Sequence, residues 1–440
     1  MTRFASWTFA TIMLLSISAG ASTLAEMPSN DNPLVIRWKN LGIRISVSSS
    51  LINPNPNIKT GTDVADVVRR SLAAWQNASG IKFAQSVSDR QSVSPQGIAG
   101  DGISLITIAQ TPENLSLFQN DPQATSAKSR VFYNRKGEIT EADIVLNPFV
   151  QFSDDGTFGT FDLQSTLIHE LGHLLGLDHS FSLGSVMYEN SGRNGLFGLQ
   201  ARGGRTLSPE DLAALQRLYG DQAGDDLCCG VSAGRLAVPI GRRGSTFQIW
   251  AEDTENGRIA GSAISQKNGN YRIGGLPVGS YRIYAQDDNK KRAASLSYGT
   301  GEVDIEKGKT SSLDLVLLKR SADIDLRFIG LNGQLASAAV PVNPGRTYTL
   351  YFGGSNLATA NLTVGSNSKF ITVNSGTVSN YDFSDTVGSM RAEVTIDAEA
   401  PLGDYTLYLQ NEAGNRRYIV GGLKVNSFAD PWDISAVFTR

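Results

Sequence analysis

His169-Glu170-Leu171-Gly172-His173-Leu174-Leu175-Gly176-Leu177-Asp178-His179-Ser180 is the stretch that decides how this chain reads. The chain has 440 residues and only 3 histidines, and all of them fall between positions 169 and 179. On a helix, His169 and His173 lie one turn apart on the same face, so two imidazoles there can grip one metal ion. Gly176 can take a positive φ, stop the helix and turn the chain back. That return delivers His179 as a third ligand. Three neutral nitrogens leave a fourth position for water, which is the open site of a catalytic zinc. Glu170 points about 100° around the helix from His169, beside the metal rather than onto it. There it can act as general base toward that water and then as proton donor to a leaving amine. For the HExxH spacing alone, a chance match on an ordinary amphipathic helix competes. Gly176 and His179 weigh against chance. A structural zinc site would want a fourth protein ligand; no other His exists, and the two Cys lie far along the chain.

Outward from this stretch, Asp63 to Asn77 carries Val64, Val67, Val68, Leu72 and Trp75 at helical spacing. Leu41 to Val47, Ile81 to Phe83 and Ile103 to Ile108 read as strands. Lys128–Tyr133 and Ile139–Leu146 read as two strands joined by a turn at Asn134–Gly137. The metal-ligand helix is expected from about Asp162 to Leu175. A third helix is expected from a Ser208 cap, with Pro209 first and Glu210 and Asp211 in the first turn, to a stop at Tyr219-Gly220. After that the helical pattern ends, and short alternating strands with Gly, Pro and Asn turns follow. The expected architecture is multidomain: an α+β domain with a twisted sheet and three helices over residues 30–220, a linker at 221–230, and two all-β sandwiches at 231–318 and 319–426, with a tail at 427–440. At roughly 150 residues per domain, the length agrees with about three.

Residues 1–25 read as a signal peptide: Arg3, an apolar run from Phe9 to Ala21, and small residues at Ala19, Ala21 and Ala25. An uncleaved N-terminal anchor is the competing reading. No later stretch reaches 18 apolar residues, so no membrane span is expected after signal removal. The expected location is secreted or extracellular, or the periplasm or surface of a bacterium. With 39 basic against 42 acidic residues, the chain has no basic field to hold nucleic acid. Its 2 Cys rule out a disulfide-dense scaffold. Cys228 and Cys229 are adjacent; they could bond each other, pair between chains or stay free.

The pattern HExGHxxGxxHS resembles the metzincin metalloproteases, and Ser180 after the third His resembles their matrixin branch, of bacterial type. The resemblance implies a protein or peptide substrate. It also implies that Met187, in Ser185-Val186-Met187-Tyr188, forms the Met-turn supporting the zinc; plain core packing is the other reading. Two residues past Met187 stands Glu189, where astacin-like and serralysin-like relatives carry Tyr. Trp38, the Asp63–Trp75 helix and Ser208–Gly220 also look matrixin-like. By the same resemblance Asp211 would receive a freed N-terminus, Lys128–Tyr133 would be the rim against which a substrate pairs, and Tyr188–Arg205 would wall a side-chain pocket; that segment equally reads as a plain mobile loop. Departures are clear: no Cys lies between the leader and Trp38 to block the zinc, and the histidines of the family's structural zinc are missing. Calcium is not shown by the sequence, since Asp154-Asp155-Gly156 also reads as an acidic turn.

Asn268 to Ile283, with Leu276-Pro277-Val278-Gly279-Ser280-Tyr281, resembles the carboxypeptidase regulatory-like (transthyretin-like) sandwich. Val342 to Leu350 resembles the opening of an immunoglobulin-like domain. These β domains would bind a surface, a polysaccharide or a protein; Trp250, Tyr271, Tyr281 and Tyr284 are either a binding stripe or interior packing. Two other functions stay open: an extracellular binding or adhesive protein with a non-catalytic metzincin domain, and a zinc hydrolase of a non-peptide amide.

Overall fold

The computed structural model describes residues 26–27 and 34–426, apart from 96–99, 120–121, 124, 191, 224–227, 239–243, 288–295, 321–323, 356, 358–361 and 385–386. The signal-peptide reading of 1–25 and the tail 427–440 lie outside the described residues. No helix among those described is long and apolar enough to cross a membrane.

The metal-ligand stretch sits on a five-stranded sheet. Its strands are β1 (Gly42–Ser48), β2 (Lys82–Ser88), β3 (Ser104–Thr107), β4 (Ala127–Tyr133) and β5 (Ile139–Leu146), in spatial order β2-β1-β3-β5-β4. Four run parallel, while β4 is antiparallel to β5 and forms one edge. Against the sheet pack α1 (Val64–Gln76) and α2 (Leu163–Leu174). In α1, Asp63 caps the N-terminus by accepting from Asp66 N, and one stripe from Val64 to Trp75 is buried. Trp75 Nε1 donates to Ile168 O across 2.9 Å, tying α1 to α2. Helix α2 is buried along nearly its whole length and is capped by Asp162. Its last carbonyls do not go unpaired: Trp38 Nε1 donates to Leu174 O at 2.8 Å, and Tyr219 Oη to Leu175 O at 2.6 Å. Trp38 and Tyr219 thus close the end of this helix. Two short helices, Ser49–Ile52 and Pro112–Ser116, were not expected, although Thr111-Pro112-Glu113 carries the same kind of cap, first proline and first-turn acid as the start of the third helix.

The third helix, α3 (Pro209–Ala223), does not stop at Gly220 as expected. A glycine costs only about 1 kcal/mol inside a helix. The helix packs against the strands Ile259–Ile264 and Asn270–Leu276. The contact is close: a Cβ on Gly275 would lie 1.9 Å from Ala213 O.

After α3 every described element is a strand. A three-stranded and a larger sheet enclose a core that includes Phe247, Ile249, Ile273 and Ile283. A five-stranded and a four-stranded sheet, from Asp325 to Val425, enclose a second core around Phe352, Val394, Tyr405 and Leu423. Trp250, Tyr271, Tyr281 and Tyr284 are at most 4% exposed, so they are interior packing and form no surface stripe. Trp250 stacks on Tyr284 with centroids 5.4 Å apart, and Tyr418 from the last sheet meets both. Cys228 and Cys229 are bonded to each other.

Candidate metal centre

Helix α2 carries His169 and His173 on one face, and Gly176 ends it with φ +94°. A side chain at Gly176 would also strike Ile36 O, at 2.3 Å from its Cβ. The reversal brings His179 back to the helical pair. His173 Nε2 lies 3.1 Å from His169 Nε2 and 3.2 Å from His179 Nε2. Tetrahedral zinc with bonds of about 2.05 Å places its nitrogens about 3.3 Å apart, so the triangle has the right size. Nδ1 of His169 faces Val186 O and Nδ1 of His173 faces Leu177 O, each at 2.8 Å. A carbonyl only accepts, so both Nδ1 atoms carry the proton and both Nε2 lone pairs point at each other. A cation among them removes that repulsion, and the carbonyl partners fix the rings for it. Burial, then the neighbouring imidazoles, hold His173 well below the ordinary histidine range; burial likewise brings His179 down to about 4. His173 and His179 are therefore neutral near pH 7, as coordination requires. No other such group of three or more His, Cys, Asp or Glu occurs among the described residues.

Glu170 is 4% exposed, and burial pushes its carboxyl above the usual range. Its Oε2 accepts from Ser129 Oγ at 2.6 Å, and the same hydroxyl lies 3.2 Å from Glu170 O. Ser129 belongs to the edge strand β4. Sequence reading missed it, since a lone Ser in a strand gives no local sign of a partner 41 residues on.

Met187 is buried beneath the ligand helix. Its Sδ would lie 2.2 Å from a Cβ on Gly172, so Gly172 is what lets the methionine close on α2. The turn is held by Ser180 N donating to Met187 O at 2.9 Å, and by Asp211, which accepts from Ser185 Oγ, Val186 N and Ser208 N. Asp211, which resembles an acceptor of a freed N-terminus, is here buried with these three donors. Glu189 is exposed. Asp154 pairs with Arg70 and Arg205, and Asp155 with Lys59, so the acidic turn is neutralised by cations. The segment Tyr188–Arg205 is no free surface loop: Phe197 is 1% exposed and sits in the core of the last two sheets.

Three imidazoles meet around one point and could hold a single metal ion, and Glu170 on the same helix is buried. Residues 38–220 match the family model described as Matrixin. No curated protein matches the chain. Among solved structures, the major pilin subunit BcpA of Bacillus cereus matches at 12% identity and TM-score 0.18, over 45% of this chain and 70% of that one. The glucan-utilization protein SGBP-B of Bacteroides ovatus matches at 20% identity and TM-score 0.17, over 42% of this chain and 37% of that one. The T6 backbone pilin of Streptococcus pyogenes matches at 9% identity and TM-score 0.15, over 46% and 62%. At TM-scores this low, the likeness identifies neither a shared fold nor a function.

Proposed function

We propose that this chain is a secreted zinc-dependent metalloendopeptidase of matrixin type. The observation that carries the reading is the Nε2 triangle with Glu170 buried beside it. His169, His173 and His179 would hold the zinc, which when bound polarises the scissile carbonyl and acidifies a water. Glu170 takes that water's proton on its carboxylate and passes it to the leaving amine. Ser129, donating to Oε2, keeps the carboxylate turned toward β4, along whose free edge an extended peptide can pair. The Matrixin match over 38–220 supports the same reading. Division of the chain into a peptidase domain, a carboxypeptidase regulatory-like sandwich and an immunoglobulin-like sandwich belongs to this proposal, supported by the separate cores. The test compares the parent with Glu170→Ala for zinc content and for cleavage of an unfolded protein, with and without chelator. Both proteins should hold about one zinc, while only the parent cuts and chelator stops it. A parent that binds zinc and cleaves no unfolded substrate would turn the reading toward a binding protein with a silent metal site.

A further inference from the structure

Beside the helix that carries His169 lies a cavity of about 80 Å³ that two parts of the chain build together. On one side stand Val186 and Tyr188, the neighbours of Met187, and Ser165, one helical turn ahead of His169. Val186 is also the residue whose carbonyl holds His169 Nδ1. The cavity therefore opens directly beside the ligand helix. On the other side stand Ala338, Ala339 and Pro341, from the last pair of sheets. In the strand Val340–Val342, both valines are buried in their own core, and Pro341 between them faces the cavity.

This wall is fixed in place. Leu183 N donates to Val420 O at 3.0 Å. Lys424 Nζ donates to Gly184 O at 2.6 Å and to Thr206 O at 3.2 Å. Phe197 enters the distant core; its N–H donates to Gln334 Oε1 at 2.6 Å and its carbonyl accepts from Asn332 Nδ2 at 2.7 Å. All of these bonds join the metal-site turns to residues more than 130 positions away.

We infer that the C-terminal sheets form one wall of the substrate pocket, so that Ala339 and Pro341 help set which side chain is accepted next to the scissile bond. The inference rests on the peptidase reading only in naming that occupant. Leu183, Val186, Leu196 and Leu199 supply the apolar part of the remaining lining, and both cations that line it are engaged by carbonyls, Lys424 by Gly184 O and Thr206 O and Arg193 by Gly159 O and Gln123 O. The accepted side chain is accordingly apolar and uncharged.

The test uses the full zinc-loaded chain and two peptide hydroxamates, identical except for Leu or Ala beside the metal-binding group. Binding is measured by calorimetry. The parent should prefer Leu by about tenfold or more, the usual discrimination of an apolar pocket for a few methylenes. Ala339→Leu should fill the wall and remove most of that preference. Pro341→Ala should open it and raise the affinity of a Phe hydroxamate relative to Leu; this second variant decides the matter if the first fails to fold. A parent without preference, no binding of any hydroxamate, or wall variants with the parent's preference would each overturn the inference. Cleavage of matching peptides is followed in parallel. Discrimination without cleavage sinks the peptidase reading and leaves the wall standing.

Discussion

Gly172→Ala puts one methyl between His169 and His173 and tests how the proposed metal site is supported. The added Cβ would lie 2.2 Å from Met187 Sδ and 3.0 Å from both Met187 Cε and Trp75 Cζ2, where ordinary contact begins at 3.4 Å. The sulfur would have to retreat by about 1.2 Å, which is overpacking of the kind that costs about 1–3 kcal/mol. Alanine returns about 1 kcal/mol through helix propensity, so global stability should change little. The metal site should suffer more. Met187 is 3% exposed, and its turn is pinned by Ser180, Ser185 and Asp211. Displacing the turn moves Val186 O away from His169 Nδ1. Loss of such an outer partner weakens metal binding about 10- to 100-fold. Chelator competition for zinc measures this directly. Met187→Ala in the same background removes the obstacle and should restore affinity to within a few-fold, at a cavity cost of about 2–5 kcal/mol. Parent-like zinc affinity in Gly172→Ala would refute the reasoning, as would a double variant no better than the single.

Ser129→Ala removes a hydrogen bond to a buried carboxylate, worth about 1.5–3 kcal/mol; kcat should fall at least tenfold with KM and zinc content nearly unchanged, and Ser129→Thr should recover most of it. Equal losses in kcat and zinc content would show Ser129 to be merely structural. Glu252 is held up at about 7, chiefly by burial, while bonding Trp250 Nε1 and Asn367 Nδ2. A raised acid pKa means the folded chain holds the proton longer than the unfolded one, so stability falls as pH climbs from about 4.5 to about 7; Glu252→Gln should flatten the Tm slope in that window, and an unchanged slope would disprove the assignment. Phe197→Ala should cost about 3–5 kcal/mol in the unfolding step that reports the last two sheets, as loss of a buried aromatic does. A loss confined to the metal-site region would contradict its place in the distant core.

What the sequence revealed was what local rules govern. The ligand helix, the reversal at Gly176 and the α1 stripe from Val64 to Trp75 follow from spacing, which acts within a few residues. The end of α3 was misjudged because Gly220 reads as a local stop, whereas the helix runs on to Ala223 and glycine is tolerated inside it at a cost of about 1 kcal/mol. Ser129, Gly172 and Phe197 were silent for a different reason. Each matters through a partner that only the folded chain brings near: Glu170, Met187, and the core around Phe352.

Those long-range partners make the β-rich half something other than an appendage. Glu210 of α3 accepts from Ser180, next to the third histidine, and from Ser262 in the strand Ile259–Ile264 of the first sandwich. Asp211 beside it holds the Met187 turn. From the far side Val420 and Lys424 grip that turn at Leu183 and Gly184. The turn beneath the metal ligands is thus held between α3, which the first sandwich supports, and the last sandwich itself. Buried polar groups at such joints cost about 1–3 kcal/mol each when their partner is removed. The geometry of three histidines within 11 residues is therefore set by contacts that extend to Lys424.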